Sequence, residues 1–147
     1  MHDAGMANVK VLGTRPRKPS PSLAATRKRE LGQIGEALAA QAIGAVGLRV
    51  IAQNWRGHRG ELDIVALDGA TLVGIEVKTR STLNFGHPAA AITGDKLMRM
   101  KRLLCQWINE NRAQLPHLSG LRLDVISVLY DSSSTAKPII EHLKGIS

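Results

Sequence analysis

The stretch GELDIVALDGATLVGIEVKTR, residues 60 to 80, alternates apolar and polar positions on both sides of Asp68-Gly69, and this pattern commits it to a β-hairpin. Side chains alternate faces along a strand, so Glu61, Asp63, Val65 and Leu67 share one face of the first arm, opposite Leu62, Ile64 and Ala66. In the second arm Leu72, Gly74, Glu76, Lys78 and Arg80 share a face, opposite Val73, Ile75 and Val77. A two-residue loop sets Leu67 against Ala70 and Glu61 against Glu76. A four-residue loop sets Leu67 against Leu72, Asp63 against Glu76 and Glu61 against Lys78. Either register puts Asp63 and Glu76 on one face, whereas a three-residue loop would mix the apolar faces.

An isolated Glu-x-Lys on a strand is ordinarily a solvated charge pattern. Here the same face carries Val65, Leu67 and Leu72 toward the turn, which calls for a covering layer and makes the charged end the mouth of a pocket. Two carboxylates held close raise each other's pKa unless a cation joins them, and hard oxygen ligands in ones and twos suit Mg²⁺ or Mn²⁺. A lysine two residues beyond a ligand, on the same face, is placed to steer a water or to stabilise charge on a phosphate under attack.

Around the hairpin the periodicity changes. From Ala24 to about Val46 the apolar positions Leu31, Ile34, Leu38 and Ala42 recur at helical spacing, and Gly47 is a plausible stop. A second stripe of small residues runs through Gly32, Gly35, Ala39 and Ile43, with Glu36 beside it. Glycine costs about 1 kcal/mol relative to alanine inside a helix, so the pair in LGQIGEALAA predicts close approach to a neighbouring backbone. LRVIAQNW reads as a strand and RGHRG as a basic loop. A second helix is expected from Thr93, its N-cap, to Arg112, with Leu97, Met100, Leu104, Trp107 and Ile108 as its apolar stripe. LRLDVISVLY and KPIIEHLKGI read as further strands, giving a mixed sheet flanked by helices.

A chain of 147 residues with no apolar run near the length of a membrane span fits one domain with no membrane partner. A lone cysteine, Cys105, and five scattered histidines argue against a disulfide framework or a thiolate metal site, and a cytoplasmic location is the simplest assignment. The net charge of +8 is uneven: seven Lys or Arg against Asp3 and Glu30 put +5 in residues 1 to 30, leaving +3 for the rest. Residues 1–23, including TRPRKPSPS, read as a flexible basic arm, either phosphate-binding or a leader, preceding a domain over 24–147. Lys96, Arg99 and Arg102, with Arg59 and Arg80, are candidate phosphate contacts, although a solvated helix face explains the first three equally well. Trp55 and Trp107 are assigned to the core, since aromatics at 3% offer no stacking platform. Cys105 is assigned there too, His58 is read as a plain loop residue, and Asp124 and Glu61 have no assigned role.

Taken in order, Gly35-Glu36, GELDIVA, the Asp-Gly turn, GIEVKTR, FGHPAAAIT, Lys96 and RLDVISV resemble the YraN-type family of endonuclease-like proteins, within the PD-(D/E)xK nuclease superfamily, over roughly residues 27 to 143. The resemblance implies an α/β restriction-endonuclease-like core in αβββαβ order, related to archaeal Holliday-junction resolvases. It implies Asp63 and Glu76 as ligands to Mg²⁺ or Mn²⁺, Lys78 as the catalytic lysine, and Glu36 as the acid supplied by the first helix, a third candidate metal ligand. The proline common before the motif aspartate is replaced by Leu62. The expectation is therefore a metal-dependent phosphodiesterase acting on DNA, with branched DNA and a two-fold homodimer as the resolvase-like form. The rival is a nuclease-fold protein that binds nucleic acid or a protein partner without cutting. Fold likeness alone does not decide between them.

Overall fold

Every strand expected from the sequence forms, and the five join in one sheet. The computed structural model describes residues 20–81 and 92–146. The element order is α1 (Leu23–Ala45), β1 (Arg49–Gly57), β2 (Gly60–Asp68), β3 (Thr71–Arg80), α2 (Gly94–Asn111), β4 (Gly120–Leu129) and β5 (Ile139–Leu143). The strands lie side by side in sequence order, antiparallel except for β3 and β4, which run parallel on either side of α2. This is a mixed α/β sheet with a helix on each face, in the αβββαβ order the resemblance implied, with β5 added at the end. Residues 1–19 of the arm expected over 1–23, and the segment from Phe85 to Ala91, lie outside the described residues, and Leu23 already opens α1.

Helix limits follow from their caps. The Ser22 hydroxyl accepts the Ala25 N–H at 3.2 Å, and the Thr93 hydroxyl accepts the Lys96 N–H at 3.2 Å, each satisfying a first-turn donor. At the other end of α1, Gly47 takes φ 96°, a conformation suited to glycine, and the Leu48 N–H returns to the Ile43 carbonyl at 3.0 Å. The basic loop is shorter than RGHRG suggests. Strand pairing continues to Gly57 and Gly60, leaving only His58 and Arg59 in the turn, and the His58 N–H is pinned to Gln106 Oε1 of α2 at 2.8 Å.

Two cores sandwich the sheet. On one face Ala39, Ile43 and Leu48 cover Ile64, Ala66, Val73, Ile75, Val77, Ile126 and Val128. On the other, Met100, Leu103, Leu104 and Trp107 of α2 cover Leu62, Val65, Leu67, Leu72 and Leu123, with Trp55 packed at the margin. Both tryptophans are thus in or against the core, as their assignment required. Cys105 is not: it lies on the exposed side of α2, one position round from the buried Leu104.

The stripe of α1 that faces the sheet is the small-residue one. Gly35, Ala39 and Ile43 are buried, whereas Ile34 of the larger stripe is 39% exposed. A methyl group added at Gly35 would meet Thr79 of β3, with the Thr79 Cβ only 2.7 Å away, while Gly32 has nothing within 4 Å. Only one of the two glycines is therefore required by close approach. Gly35→Ala is expected to destabilise the protein by about 1–3 kcal/mol despite alanine's better helix propensity. Gly32→Ala should be neutral or stabilising by up to about 1 kcal/mol. Urea melts of the two variants check the pair, and equal effects would contradict the packing described.

Candidate functional site

The hairpin adopts the register with Leu67 opposite Leu72, as the four-residue loop would set it, but pairing continues to Asp68 opposite Thr71, so the turn itself is Gly69, at φ 60°, and Ala70. The β2–β3 ladder stops at Ile64 opposite Ile75, one pair short of Asp63 and Glu76. Beyond that point a side chain replaces the backbone bond, as Asp63 Oδ2 accepts the Val77 N–H at 2.8 Å. The strict alternation expected in β2 breaks here. Leu62 packs with Val65 and Leu67 under α2 and not with Ile64 and Ala66 under α1. On the neighbouring strand Asn54 takes φ 51°, a left-handed conformation that asparagine tolerates better than most residues. Leu62, in the position of the missing proline, pairs with Trp55 in the β1–β2 ladder.

This slip concentrates acid where the strands part. Asp63 and Glu76 are 8% and 7% exposed. Burial, then the Glu76 charge, and more weakly those of Glu36 and Glu61, push the Asp63 carboxyl from its ordinary 3.8 up to about 7, against the opposing Val77 N–H bond. Glu36 of α1 is raised as well, by desolvation first and by Glu61 and Glu76 after it, while a hydrogen bond to Asn54 pulls the other way. Glu76 is compensated. Its Oε1 lies 3.4 Å from Lys78 Nζ and 3.3 Å from Lys96 Nζ. The site is thus built from α1, β2, β3 and the first turn of α2.

The other expected residues fall at different distances from this centre. Glu61 is exposed and pairs loosely with Arg56 at 3.8 Å. The Arg99 side chain lies over Gly60, near the start of β2, and Arg59 holds φ 58° in the exposed β1–β2 turn. Arg102 is exposed on α2, and nothing described brings it to the carboxylates. Arg80 is half-buried at the end of β3, its carbonyl accepting the Tyr130 N–H at 2.9 Å. Sequence reasoning passed over Lys28, Arg29 and Asn54, which line a cleft with Gly32, Gln33, Glu36 and Glu61 beside the acidic centre. The helical offset from Glu36 back to Gly32, Arg29 and Lys28 was the available signal.

Two carboxylates from adjacent strands suit a hard divalent cation. Among the described residues no three His, Cys, Asp or Glu side chains gather closely enough to cage an ion unaided. Asp63 and Glu76 could hold such an ion only with water completing its shell, a coordination that Mg²⁺ accepts. Glu36 is felt by Asp63 through its charge.

The uncharacterised protein family UPF0102 matches residues 35–128, from the glycine packed on Thr79 to the last buried valine of β4. A UPF0102 protein of Beutenbergia cavernae is 46% identical over 119 residues, covering 81% of this chain and 97% of its own. Others from Paenarthrobacter aurescens and Streptomyces coelicolor are 44% and 43% identical, covering 79% of this chain and 92% and 87% of theirs. The chain belongs to the UPF0102 family. This is the YraN-type likeness carried by the motifs, and the UPF0102 span holds Glu36, Asp63, Glu76, Lys78 and Lys96 while leaving the N-terminal arm outside. No helix among the described residues of this UPF0102 protein is long and apolar enough to cross a membrane.

The Asp63 environment has a measurable consequence in metal-free buffer. An acid whose pKa is higher folded than unfolded favours the folded state while protonated, so its contribution is full below about pH 4 and is lost as pH rises through about 7. Glu36 acts in the same direction. With EDTA present, stability should therefore decline between pH 4 and pH 8, by at most about 4 kcal/mol from Asp63. Urea midpoints across that range give the measurement, and a flat or rising profile would contradict the acidic cluster.

Proposed function

We propose that this protein is a metal-dependent phosphodiesterase acting on DNA, with Asp63 and Glu76 as metal ligands and Lys78 as the catalytic lysine. One observation carries the reading: where the β2–β3 ladder parts, two buried carboxylates from adjacent strands lie near enough for the Glu76 charge to raise Asp63, with the Lys78 ammonium 3.4 Å from Glu76 Oε1. A structural ion pair needs no second buried acid with its pKa driven up to about 7. A divalent ion bound there would supply Lewis acidity and lower the pKa of water for in-line attack. Asp63 and Glu76 would fix its position. Lys78, 36% exposed, has its charge at the mouth and can donate to a phosphoryl oxygen as charge builds there. Lys28 and Arg29, in the cleft beside Glu36, and Arg99 over Gly60 offer positive charge for the flanking phosphates. A preference for branched DNA, cut by a two-fold pair of subunits, belongs to the same proposal.

One feature favours the non-cutting alternative, in which the fold binds nucleic acid or a protein partner. Two ammonium groups already compensate Glu76 without any metal. Cleavage of linear and branched DNA, followed with Mg²⁺, Mn²⁺ or EDTA, separates the readings. Parent protein should cut only with metal, and Lys78→Ala should be slower by on the order of 10²–10³-fold while still responding to metal in a melting assay. DNA binding by a parent that leaves every substrate intact would select the alternative.

A further inference from the structure

Lys78 and Lys96 share one oxygen, Glu76 Oε1, at 3.4 and 3.3 Å. Two positive charges on a single carboxylate is one more than neutralisation requires, and a divalent cation arriving at the same carboxylate would make the crowding worse. The ion competes with both ammonium groups for this oxygen, and the two differ in how readily they can give way. Lys78 is confined, since it is two residues from Glu76 on the same strand. Lys96 reaches across from α2, and its side chain is 31% exposed, so its ammonium can withdraw into water without being stranded in the interior. Glu76, with its side chain only 9% exposed, cannot follow. Asp63 takes part in neither pair.

We propose that Lys96 is a built-in counter-ion, holding Glu76 in place before metal arrives and giving up that position when a divalent ion binds. The inference rests on the metal-site reading above and assigns a competing role to a residue outside the ligand set. Its consequence is an order of events. Without metal the Lys96 charge is committed to Glu76, and metal entry frees it beside the carboxylates, where a phosphodiester anion can take it up. The metal-free protein is thereby kept from offering its full charge to DNA at this point.

The test is calorimetric titration of the whole protein with Mn²⁺ and with Mg²⁺, comparing parent, Lys96→Met and Lys96→Arg. Removing the competitor should tighten metal binding roughly tenfold in Lys96→Met, a change of about 1.4 kcal/mol, whereas Lys96→Arg should remain near the parent. Helix α2 stays anchored through Met100, Leu103, Leu104 and Trp107, so the variants should fold. A second measurement needs no variant: in ¹⁵N-lysine-labelled parent, the Lys96 ammonium signal should move toward that of a free lysine as metal is added. Unchanged or weaker binding by Lys96→Met, or a Lys96 signal indifferent to metal, would overturn the counter-ion role while the site itself still binds. A parent that binds neither metal removes the site reading and this inference together.

Discussion

Asp63→Asn is expected to yield a protein that no longer gains stability from Mg²⁺ or Mn²⁺ and no longer cuts DNA, yet is more stable than the parent when metal is absent. The substitution removes a charge and keeps a carbonyl oxygen, so an acceptor for the Val77 N–H survives. It also removes the carboxylate whose burial and proximity to Glu76 raise its pKa to about 7. At pH 8 that strain is fully expressed in the parent, and its relief should stabilise metal-free Asp63→Asn by about 1–3 kcal/mol, less than the roughly 4 kcal/mol ceiling because the site relaxes. Below about pH 4 the two proteins should converge. Metal reverses the ranking, since an ion at one hundred times its Kd adds about 2.7 kcal/mol to the parent alone. Cleavage should fall by 10²-fold or more, on the order expected when a charge-positioning group is lost. Melting curves at both pH values, with Mn²⁺ and with EDTA, contain the whole prediction. A metal-induced rise preserved in Asp63→Asn would show that the ion, if bound, sits elsewhere.

The elements themselves were legible because their signals are local. Alternation about Asp68-Gly69 and the Thr93 cap depend on neighbours in sequence, and the structure keeps both. The candidate site was legible as composition, four charges on one hairpin, but not as geometry. Alternation groups Leu62 with Ile64, and nothing local in the sequence announces that it packs with Val65 instead, next to the left-handed Asn54 of the neighbouring strand and the bond from Val77 N–H to Asp63. The close approach expected from the glycine pair of α1 is met by Gly35 and not by Gly32. Ranking by hydrophobicity favours Leu31, Ile34 and Leu38, whereas contact distance favours Gly35, since the helix lies so close that a methyl group would strike Thr79. Lys96 could not be told from Arg99 or Arg102 along the helix. Only the docking of α2 brings the first of them onto Glu76. Cys105 failed in the opposite sense, as adjacency to Leu104 in sequence is a turn of about 100° on a helix.

Asp124→Ala is expected to be the most destabilising single change described for this chain, and to leave the metal response intact. Asp124 is completely buried in β4 and accepts four hydrogen bonds. Arg122 donates through Nε and Nη2 at 2.8 and 3.0 Å, the Gly145 N–H at 2.9 Å, and His142 Nε2 lies at 2.7 Å. Burial alone would raise its pKa. The bonds from Arg122, Gly145 and His142 outweigh that effect and hold the carboxyl below its ordinary value, while Arg122, which also grips Asp68 at 2.8 Å, is held above its own. Deleting the carboxylate leaves Arg122 half-paired and the Gly145 N–H without an acceptor, and breaking such a buried set from one side costs about 3–5 kcal/mol. For a domain of this size that corresponds to a melting temperature lower by on the order of 10–15 °C. His142→Ala should cost less, since Arg122 and Gly145 still hold the carboxylate. The acid side offers an independent check. A carboxyl with a lowered folded pKa contributes stability above its unfolded value near 3.8 and loses it as pH falls through the folded value. The parent's advantage over Asp124→Ala should therefore persist from pH 8 down to pH 5 and shrink below about pH 4, a window separate from that of Asp63. If the two proteins melt together at pH 7, the network contributes nothing to stability, and its burial in β4 would have to be explained by chemistry instead.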